Sequence, residues 1–428
     1  MSATHKRVRV LIEATKLGGG PRDGCFRYTS ELLRGVLRWT GPPSDDWEFD
    51  VYVRGKVLEL LSLAKKLGAG QPLNVGRAVY RVVDLTARSR QFLGDYLRRV
   101  APETLVARLM AFDRRTGLSV KLEEAHQGKP IDASAYDLVH LTLPQAYWCI
   151  DPVSRTKFVV TIHDCTHRSF PEFHLDENVR AAEEGMQFAL QRNAFFLTNS
   201  ETTRQELLAE YEVDPERVVT TPLAVDRSSF TRIVDPAASE RMRSKYGLPH
   251  RPYFLALSTL EPRKNLINTA RAFVAFRKKH PDSELAFVIA GKEGWKFGDF
   301  LSDQSARDSR IFFTGFVDEK DLPLLYSDAL ALLFVSHYEG FGLPALEGMS
   351  CGLPVIYGEG GALPEVVGDG GLQADPNDVD DIQEKLARIA INPDLREELS
   401  LKALDRADQF SWADTVKQTL EVYRKILG

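Results

Sequence analysis

The sequence is poor in cysteine and lacks long apolar runs. Its few cysteines are scattered, with no Cys-x-x-Cys pair, at Cys25, Cys149, Cys165 and Cys351. This spacing argues against a structural zinc site and is typical of a reducing, cytoplasmic compartment. No stretch approaches about 18 consecutive apolar residues, and residues 1–10 are polar and basic. We therefore expect neither a membrane-spanning helix nor a signal peptide.

A large excess of charge of one sign is also missing. The 428 residues carry a net charge of −5 at pH 7, which excludes a polycation that binds nucleic acid over its whole surface. Hydrophobic residues make up 43% of the chain, enough for a large core without disulfides or metals. We therefore expect a folded protein of more than one domain and no nucleic-acid partner.

Short apolar runs alternate with helical periodicity, and the pattern occurs twice. Strands are predicted first at 7–13, 48–53, 137–141, 157–162, 194–198 and 217–221, then at 253–258, 286–290, 311–313, 330–335 and 355–357. Helices are predicted at 24–38, 266–279, 377–391 and 411–427. Apolar strands separated by helices indicate parallel sheets buried on both faces. The sequence thus predicts an α/β protein of two units, divided near 226–250.

One segment departs from this alternation. Between residues 54 and 124 the chain holds fourteen Lys and Arg against seven Asp and Glu. We expect a mainly helical insertion in the first unit. It is either a solvated surface or a basic face for an anionic partner, such as a membrane surface or an acceptor phosphate.

The most informative stretch is HYEGFGLPALEGMSCGLP at residues 337–354, directly after a predicted strand. Glu339 therefore follows the carboxyl end of a parallel strand, where open α/β sheets bind ligands. Gly340 and Gly342 let the backbone approach a ligand, and the helix that follows offers free N–H groups to phosphate. Glu347 lies about one turn into that helix. Carboxylates beside a phosphate cradle suit the hydroxyl groups of a sugar.

A second stretch, STLEPRKN at residues 258–265, also follows a predicted strand. Arg263 provides a planar fork for a diphosphate and Lys264 a point charge. A basic pair alone is weak evidence, but Glu339 is expected at the same rim of the same unit. Together the two stretches predict a nucleotide-diphosphate site.

These stretches resemble the retaining glycosyltransferases of family 4, which have the GT-B fold. The resemblance rests on the spacing of Glu339 and Glu347, on TLEPRKN, and on PVI…GALPEVVGDGG, and is strongest over 253–375. TIHDCTHRSFPE at 161–172 resembles bacterial mannosyltransferases of polysaccharide assembly, and TNSETTRQEL at 198–207 resembles a serine-bearing strand end of the family.

The resemblance implies a set of functional residues. The implied donor-binding residues are Gly19, Gly20, Arg263, Lys264, Glu339, Gly340, Phe341, Gly342 and Glu347, and the implied catalytic residues are His163, Arg263, Lys264 and Glu339. Glu347 would accept hydrogen bonds from the ribose, and Glu339 would contact the transferred sugar. Arg263 and Lys264 would neutralise the leaving diphosphate, with His163 nearby in the cleft. Many members carry Arg where this chain has Thr259, so Arg263 must supply that charge from another position.

The resemblance also implies the domain organisation. An acceptor-side domain over 1–226, with the insertion at about 54–124, would face a nucleotide-sugar-binding domain over 227–410. The last helix, 411–428, would pack back on the first domain.

The implied activity is transfer of a hexose to a glycan or lipid-linked acceptor in bacterial surface polysaccharide assembly. Mannose from GDP-mannose is the first choice. A UDP-sugar or deoxysugar donor, or a UDP-sugar 2-epimerase of the same fold, stays open. Such an enzyme needs no cofactor beyond its nucleotide-sugar substrate, and it would act in the cytoplasm or at the inner face of the cell membrane.

Two competing sites are disfavoured by their spacing. His163 and His167 would share a face only on a helix, but they follow a predicted strand, and no Asp-x-Asp pair follows an N-terminal strand. We therefore expect no metal site. The glycine cluster at 18–20 continues as GGGPRDG, which lacks the Gly-x-Gly-x-x-Gly spacing of NAD-binding loops.

Overall fold

Two sheets, each with helices packed on it, form the framework of the protein. The computed structural model describes residues 8–18, 23–38, 47–53, 56–59, 79–83, 130–151, 155–294 and 297–428. Gly19, Gly20 and most of the segment 54–124 lie outside these residues, so the expectations placed on them stay predictions.

The first sheet has eight strands in the order β3-β4-β2-β1-β5-β6-β7-β8. They are β1 (Val8–Glu13), β2 (Trp47–Val53), β3 (Lys56–Glu59), β4 (Val79–Val83), β5 (Leu138–Leu141), β6 (Lys157–Ile162), β7 (Phe195–Thr198) and β8 (Val218–Thr220). All neighbours run parallel except β3, which is antiparallel to β2 and β4.

The second sheet has six parallel strands in the order β11-β10-β9-β12-β13-β14. They are β9 (Tyr253–Leu257), β10 (Ala286–Ala290), β11 (Ile311–Gly315), β12 (Leu332–Phe334), β13 (Val355–Gly358) and β14 (Gly371–Ala374). Its central strands are buried along their whole length, which explains their continuous apolar sequence.

The described helices lie between and around the strands. They are α1 (Gly24–Arg38), α2 (Thr166–Ser169), α3 (Asp176–Gln191), α4 (Glu201–Glu210), α5 (Pro236–Tyr246), α6 (Leu266–Lys279), α7 (Phe297–Ser302), α8 (Leu322–Ser327), α9 (Leu343–Ser350), α10 (Leu363–Val367), α11 (Val379–Ile391), α12 (Pro393–Ala407) and α13 (Trp412–Leu427). Among the described residues, none of the helices combines the length and apolar character needed to cross a membrane.

The eleven strands and four helices expected from the sequence are confirmed, with shifts of at most a few residues at their ends. Strand β14 was not expected. The prediction of a mainly helical segment at 54–124 is wrong for β3 and β4, which extend the edge of the first sheet. Val and Tyr side chains in these two short runs favour a strand once a sheet edge is available to pair with.

The last helix, α13, packs against α1 of the first sheet. Its Tyr423 is fully buried, and the Tyr423 hydroxyl lies 2.5 Å from Nδ1 of His140 on β5. Nε2 of His140 lies 2.7 Å from the Thr161 hydroxyl, which in turn lies 2.9 Å from the Tyr28 hydroxyl. Burial lowers the pKa of His140 to about 3, helped by the nearby His163. A neutral imidazole thus links the last helix to the centre of the first sheet.

We predict that Tyr423→Phe lowers the free energy of unfolding by about 1–3 kcal/mol, because it leaves a buried ring nitrogen of His140 without a partner. Urea unfolding followed by circular dichroism measures this change. Tyr147→Phe is the control: its hydroxyl bonds Glu184 at an exposed position, and its loss should cost less than about 0.5 kcal/mol. Equal stability of Tyr423→Phe and the wild type would contradict the proposed contribution of this link.

Candidate active site

The candidate residues lie at the point in each sheet where the order of the strands changes direction. In the second sheet this point lies between β9 and β12, and in the first it lies between β1 and β5. Loops leaving the carboxyl ends of such strand pairs diverge, and the crevice between them is the usual ligand site of open α/β sheets. Arg263 and Lys264 follow β9, and Glu339 follows β12; across from them, Glu13 ends β1 and Thr142 follows β5.

A buried ion cluster joins the two loops of the second sheet. Nζ of Lys264 lies 2.5 Å from Oε1 of Glu339, and a guanidinium nitrogen of Arg263 lies 3.1 Å from Oε2. Burial alone would raise the pKa of the Glu339 carboxyl, but Lys264 and Arg263 outweigh burial and hold this pKa at about 2. Glu339 is therefore ionised at any physiological pH.

Arg263 also holds the backbone of the Glu339 loop. The same guanidinium nitrogen donates to the carbonyl of Tyr338 at 2.8 Å, and the other terminal nitrogen donates to Glu261 at 2.9 Å. The N–H of His337 donates to the carbonyl of Arg263. Two cations and two carboxylates thus form a compact, nearly neutral cluster that fixes both loops.

Lys264 is the more enclosed of the two cations, with its side chain 12% exposed. Burial lowers the pKa of Lys264, and the adjacent Arg263 lowers it further, whereas Glu339 opposes the shift. The lysine therefore depends on Glu339 for its charged state, and anything that adds negative charge nearby favours that state.

The glycine loop after Glu339 touches the first domain. A side chain at Gly340 would overlap the carbonyl oxygen of His163. The carbonyl of Gly340 accepts a hydrogen bond of 3.0 Å from the Ser200 hydroxyl. His163 is fixed in turn by Asn199, whose amide donates to its carbonyl at 2.9 Å. The structure thus brings the segments 161–163 and 198–203 to the loop that carries Glu339.

Gly342 begins the helix that was expected to cradle phosphate. It has φ of 98°, in the left-handed region that glycine adopts freely, and it immediately precedes α9. Phe341 is buried with its ring against Phe410. Its side chain belongs to the core, so only its backbone amide can serve a ligand.

His163 lies half-buried at the carboxyl end of β6. Its Nε2 lies 3.2 Å from the carbonyl of Thr142 and therefore donates to it. Burial lowers the pKa of His163, although Asp164 and the hydrogen bond to Thr142 oppose the shift. The imidazole is neutral at pH 7, with Nδ1 as its remaining acceptor.

Glu347 is 1% exposed and is held from both domains. Its Oε2 accepts a hydrogen bond of 2.9 Å from the Tyr326 hydroxyl, and its Oε1 forms an ion pair with Arg27 of α1. The structure places Glu347 one turn into α9, as expected, but in contact with a residue of the first domain.

Two functional candidates were missed by the sequence analysis. Arg27 is one, since nothing in the pattern of α1 marks it as facing the second domain. The other is Glu13, a fully buried carboxyl group whose Oε2 accepts a hydrogen bond of 3.0 Å from Thr142 and whose Oε1 accepts from Thr15. Burial raises the pKa of Glu13. The sequence signal that could have identified Glu13 is the position of a glutamate at the end of an apolar strand.

The described part of the chain contains no cluster of three or more His, Cys, Asp or Glu side chains placed to hold a metal ion. His167 contacts the Tyr211 hydroxyl at 2.8 Å and does not face His163 as a second ligand.

Comparison with known proteins is consistent with this geometry. Residues 238–406 match the model of the glycosyl transferases group 1, and residues 87–229 match that of glycosyltransferase family 4. The first match includes the basic pair and both glutamates, and the second includes His163.

Two curated relatives come from Escherichia coli. O-antigen chain mannosyltransferase B is 36% identical over 272 residues, which is 62% of this chain and 70% of that protein. The serotype-specific mannosyltransferase WbdA is 28% identical over 265 residues, 60% of this chain but only 31% of WbdA. This chain therefore spans about a third of the length of WbdA.

The solved structures share the fold at low sequence identity. Anabaena HepE, in complex with UDP and glucose, matches with a TM-score of 0.64 at 16% identity, covering 97% of this chain and 99% of that one. Together with the relative that is 36% identical over most of its length, these matches show that the chain belongs to the family-4 glycosyltransferases and has their GT-B fold.

Proposed function

We propose that this glycosyltransferase moves mannose from GDP-mannose to a glycan or lipid-linked acceptor in bacterial surface polysaccharide assembly, with retention at the anomeric carbon. The observation that carries the proposal is the buried Lys264–Glu339–Arg263 cluster at the strand reversal, opposite His163. The choice of mannose rests on the two Escherichia coli mannosyltransferases.

The cluster suits a leaving diphosphate. Arg263 and Lys264 are paired with Glu261 and Glu339 while no donor is bound, and this attraction offsets part of the cost of burying the two cations. When the bond from the sugar to the phosphate breaks, its electrons pass to the phosphate oxygen. The two cations and the N-terminus of α9 then stabilise the charge that develops there.

We propose front-face transfer. The acceptor hydroxyl attacks the anomeric carbon on the face from which the diphosphate departs, and the departing phosphate oxygen takes the hydroxyl proton. The new bond to the acceptor oxygen forms as the bond to the phosphate oxygen breaks. Neutral His163 would orient a sugar hydroxyl through Nδ1, and no side chain need act as a covalent nucleophile.

On this mechanism no metal ion or cofactor is required, since the cations of the chain meet the diphosphate directly. Glu347 would accept from the ribose hydroxyls, and Gly19 and Gly20 would face the donor phosphates from the first domain.

A donor screen tests the proposed activity. GDP-mannose, UDP-glucose and UDP-N-acetylglucosamine are each incubated with the protein, with and without EDTA, and nucleoside diphosphate release is measured. We expect release from GDP-mannose that EDTA leaves intact. Release from a UDP-sugar instead would overturn the choice of donor, and activity restored only by Mg²⁺ or Mn²⁺ would overturn the metal-free mechanism. Conversion of a UDP-sugar to its 2-epimer without acceptor would identify the alternative enzyme.

Lys264→Ala should lower kcat by about 100- to 1,000-fold while changing the affinity for the donor much less, because the lysine meets charge that grows on the leaving group. Steady-state kinetics with the donor found above separates the two effects. Lys278→Ala removes an exposed lysine from the last turn of α6, the helix that follows Lys264; it is the control and should behave as wild type. Near-normal turnover of Lys264→Ala would mean that another cation stabilises the diphosphate.

We also propose that the basic segment 54–124 meets an anionic membrane surface, next to which each basic residue contributes about 1 kcal/mol. Neutralising Arg98, Arg99, Arg114 and Arg115 together should reduce sedimentation with anionic vesicles, most strongly at low salt, and leave donor hydrolysis unchanged. If the variant and the wild type bind the vesicles equally, the segment is a solvent-exposed surface that does not bind the membrane.

A further inference from the structure

The ion pair between Arg27 and Glu347 crosses the cleft at the place proposed for the donor. Arg27 lies one turn into α1, the helix that follows the glycine cluster at 18–20 in the first domain. Glu347 lies one turn into α9 of the second domain. The two helix N-termini adjoin, since a side chain at Gly24 would contact the Leu343 side chain at 3.6 Å. The guanidinium of Arg27 is therefore anchored beside the N-terminus expected to hold phosphate.

The two oxygens of Glu347 differ in their partners. Tyr326 donates a hydrogen bond to Oε2, whereas Oε1 accepts no hydrogen bond from the described residues and is paired with Arg27 by charge alone. The guanidinium also lies over the ring of Phe230, 5.6 Å from its centre. Because Glu347 is 1% exposed, a ribose reaches this carboxylate only when the guanidinium of Arg27 moves aside.

The cost of that exchange depends on what Arg27 meets next. A displaced guanidinium close to two helix N-termini is surrounded by positive partial charge, which is unfavourable unless an anion is present. A diphosphate supplies the anion, and a guanidinium binds phosphate oxygens in a planar, bidentate manner. A nucleoside offers no phosphate, so it must break the ion pair without compensation.

We infer that Arg27 makes ribose recognition conditional on the diphosphate: it holds Glu347 in the donor-free protein and moves to the donor phosphates when the ribose takes its place. This inference rests on the proposed donor site. It adds to that site a residue of the first domain, and it assigns that residue a specificity for nucleoside diphosphates over nucleosides.

The test compares the affinity of the protein for a nucleoside diphosphate with its affinity for the matching nucleoside. GDP is compared with guanosine and UDP with uridine, each in competition with a fluorescent nucleotide. Arg27→Met keeps the stem of the side chain against Phe230 and removes the charge. We expect the preference for diphosphate over nucleoside to fall at least tenfold, because diphosphate affinity drops while nucleoside affinity does not. A structural role would weaken both ligands equally and leave the preference unchanged, which overturns the inference.

Two further variants keep the result interpretable. Arg27→Lys retains a point charge without the fork and should give an intermediate preference; if Arg27→Met does not fold, an unchanged preference in Arg27→Lys overturns the inference. Arg34→Met, two turns along the same helix where Arg34 pairs with Glu31, is the matched control and should keep the wild-type preference. If the wild-type protein binds neither GDP and guanosine nor UDP and uridine, the proposed donor site is wrong, and this inference fails with it.

Discussion

The buried carboxylate of Glu339 is the constraint on which the site depends. Placing it between Lys264 and Arg263 brings two cations into a largely buried crevice, where an unpaired charge would be costly. The same contacts fix the loops that follow β9 and β12. Removing the carboxylate would therefore remove both the geometry and the charge of the proposed diphosphate site.

Around this cluster the two domains meet through polar groups of their loops. Besides the contacts of Gly340 with His163 and Ser200, the carboxylate of Glu365 accepts from the N–H groups of Glu201 and Thr202 and so caps α4 from the opposite domain. Beside these polar contacts, one hydrophobic cluster contains buried residues of both domains, among them Tyr28 and Leu343, so the domains are joined by apolar packing as well.

Much of the fold could be predicted because buried parallel strands have a continuous apolar sequence, as in β9 and β10. The basic pair and the two glutamates were also predictable, since each directly follows such a strand or begins a helix. What could not be predicted are pairings that depend on three-dimensional packing. Arg27 and Glu347 are 320 positions apart in the numbering of the chain, and no local period connects them.

Other misses have equally specific causes. Strands β3 and β4 are short, and they form because an edge of the first sheet is free to pair with them. In the sequence, Glu13 is a polar residue at the end of a predicted strand. The burial of its carboxyl group becomes evident only from the packing of Thr142 and Thr15 around it.

The link from Tyr423 to His140 bears on how the protein forms in the cell. The first sheet is complete in sequence at β8, but its buried histidine receives its partner from α13, about 200 residues later, or roughly 10–40 s at ordinary rates of translation. During that interval the nascent first domain carries an unsatisfied polar group and an uncovered face on α1. A stall in translation before α13 would therefore leave that face of α1 exposed to aggregation.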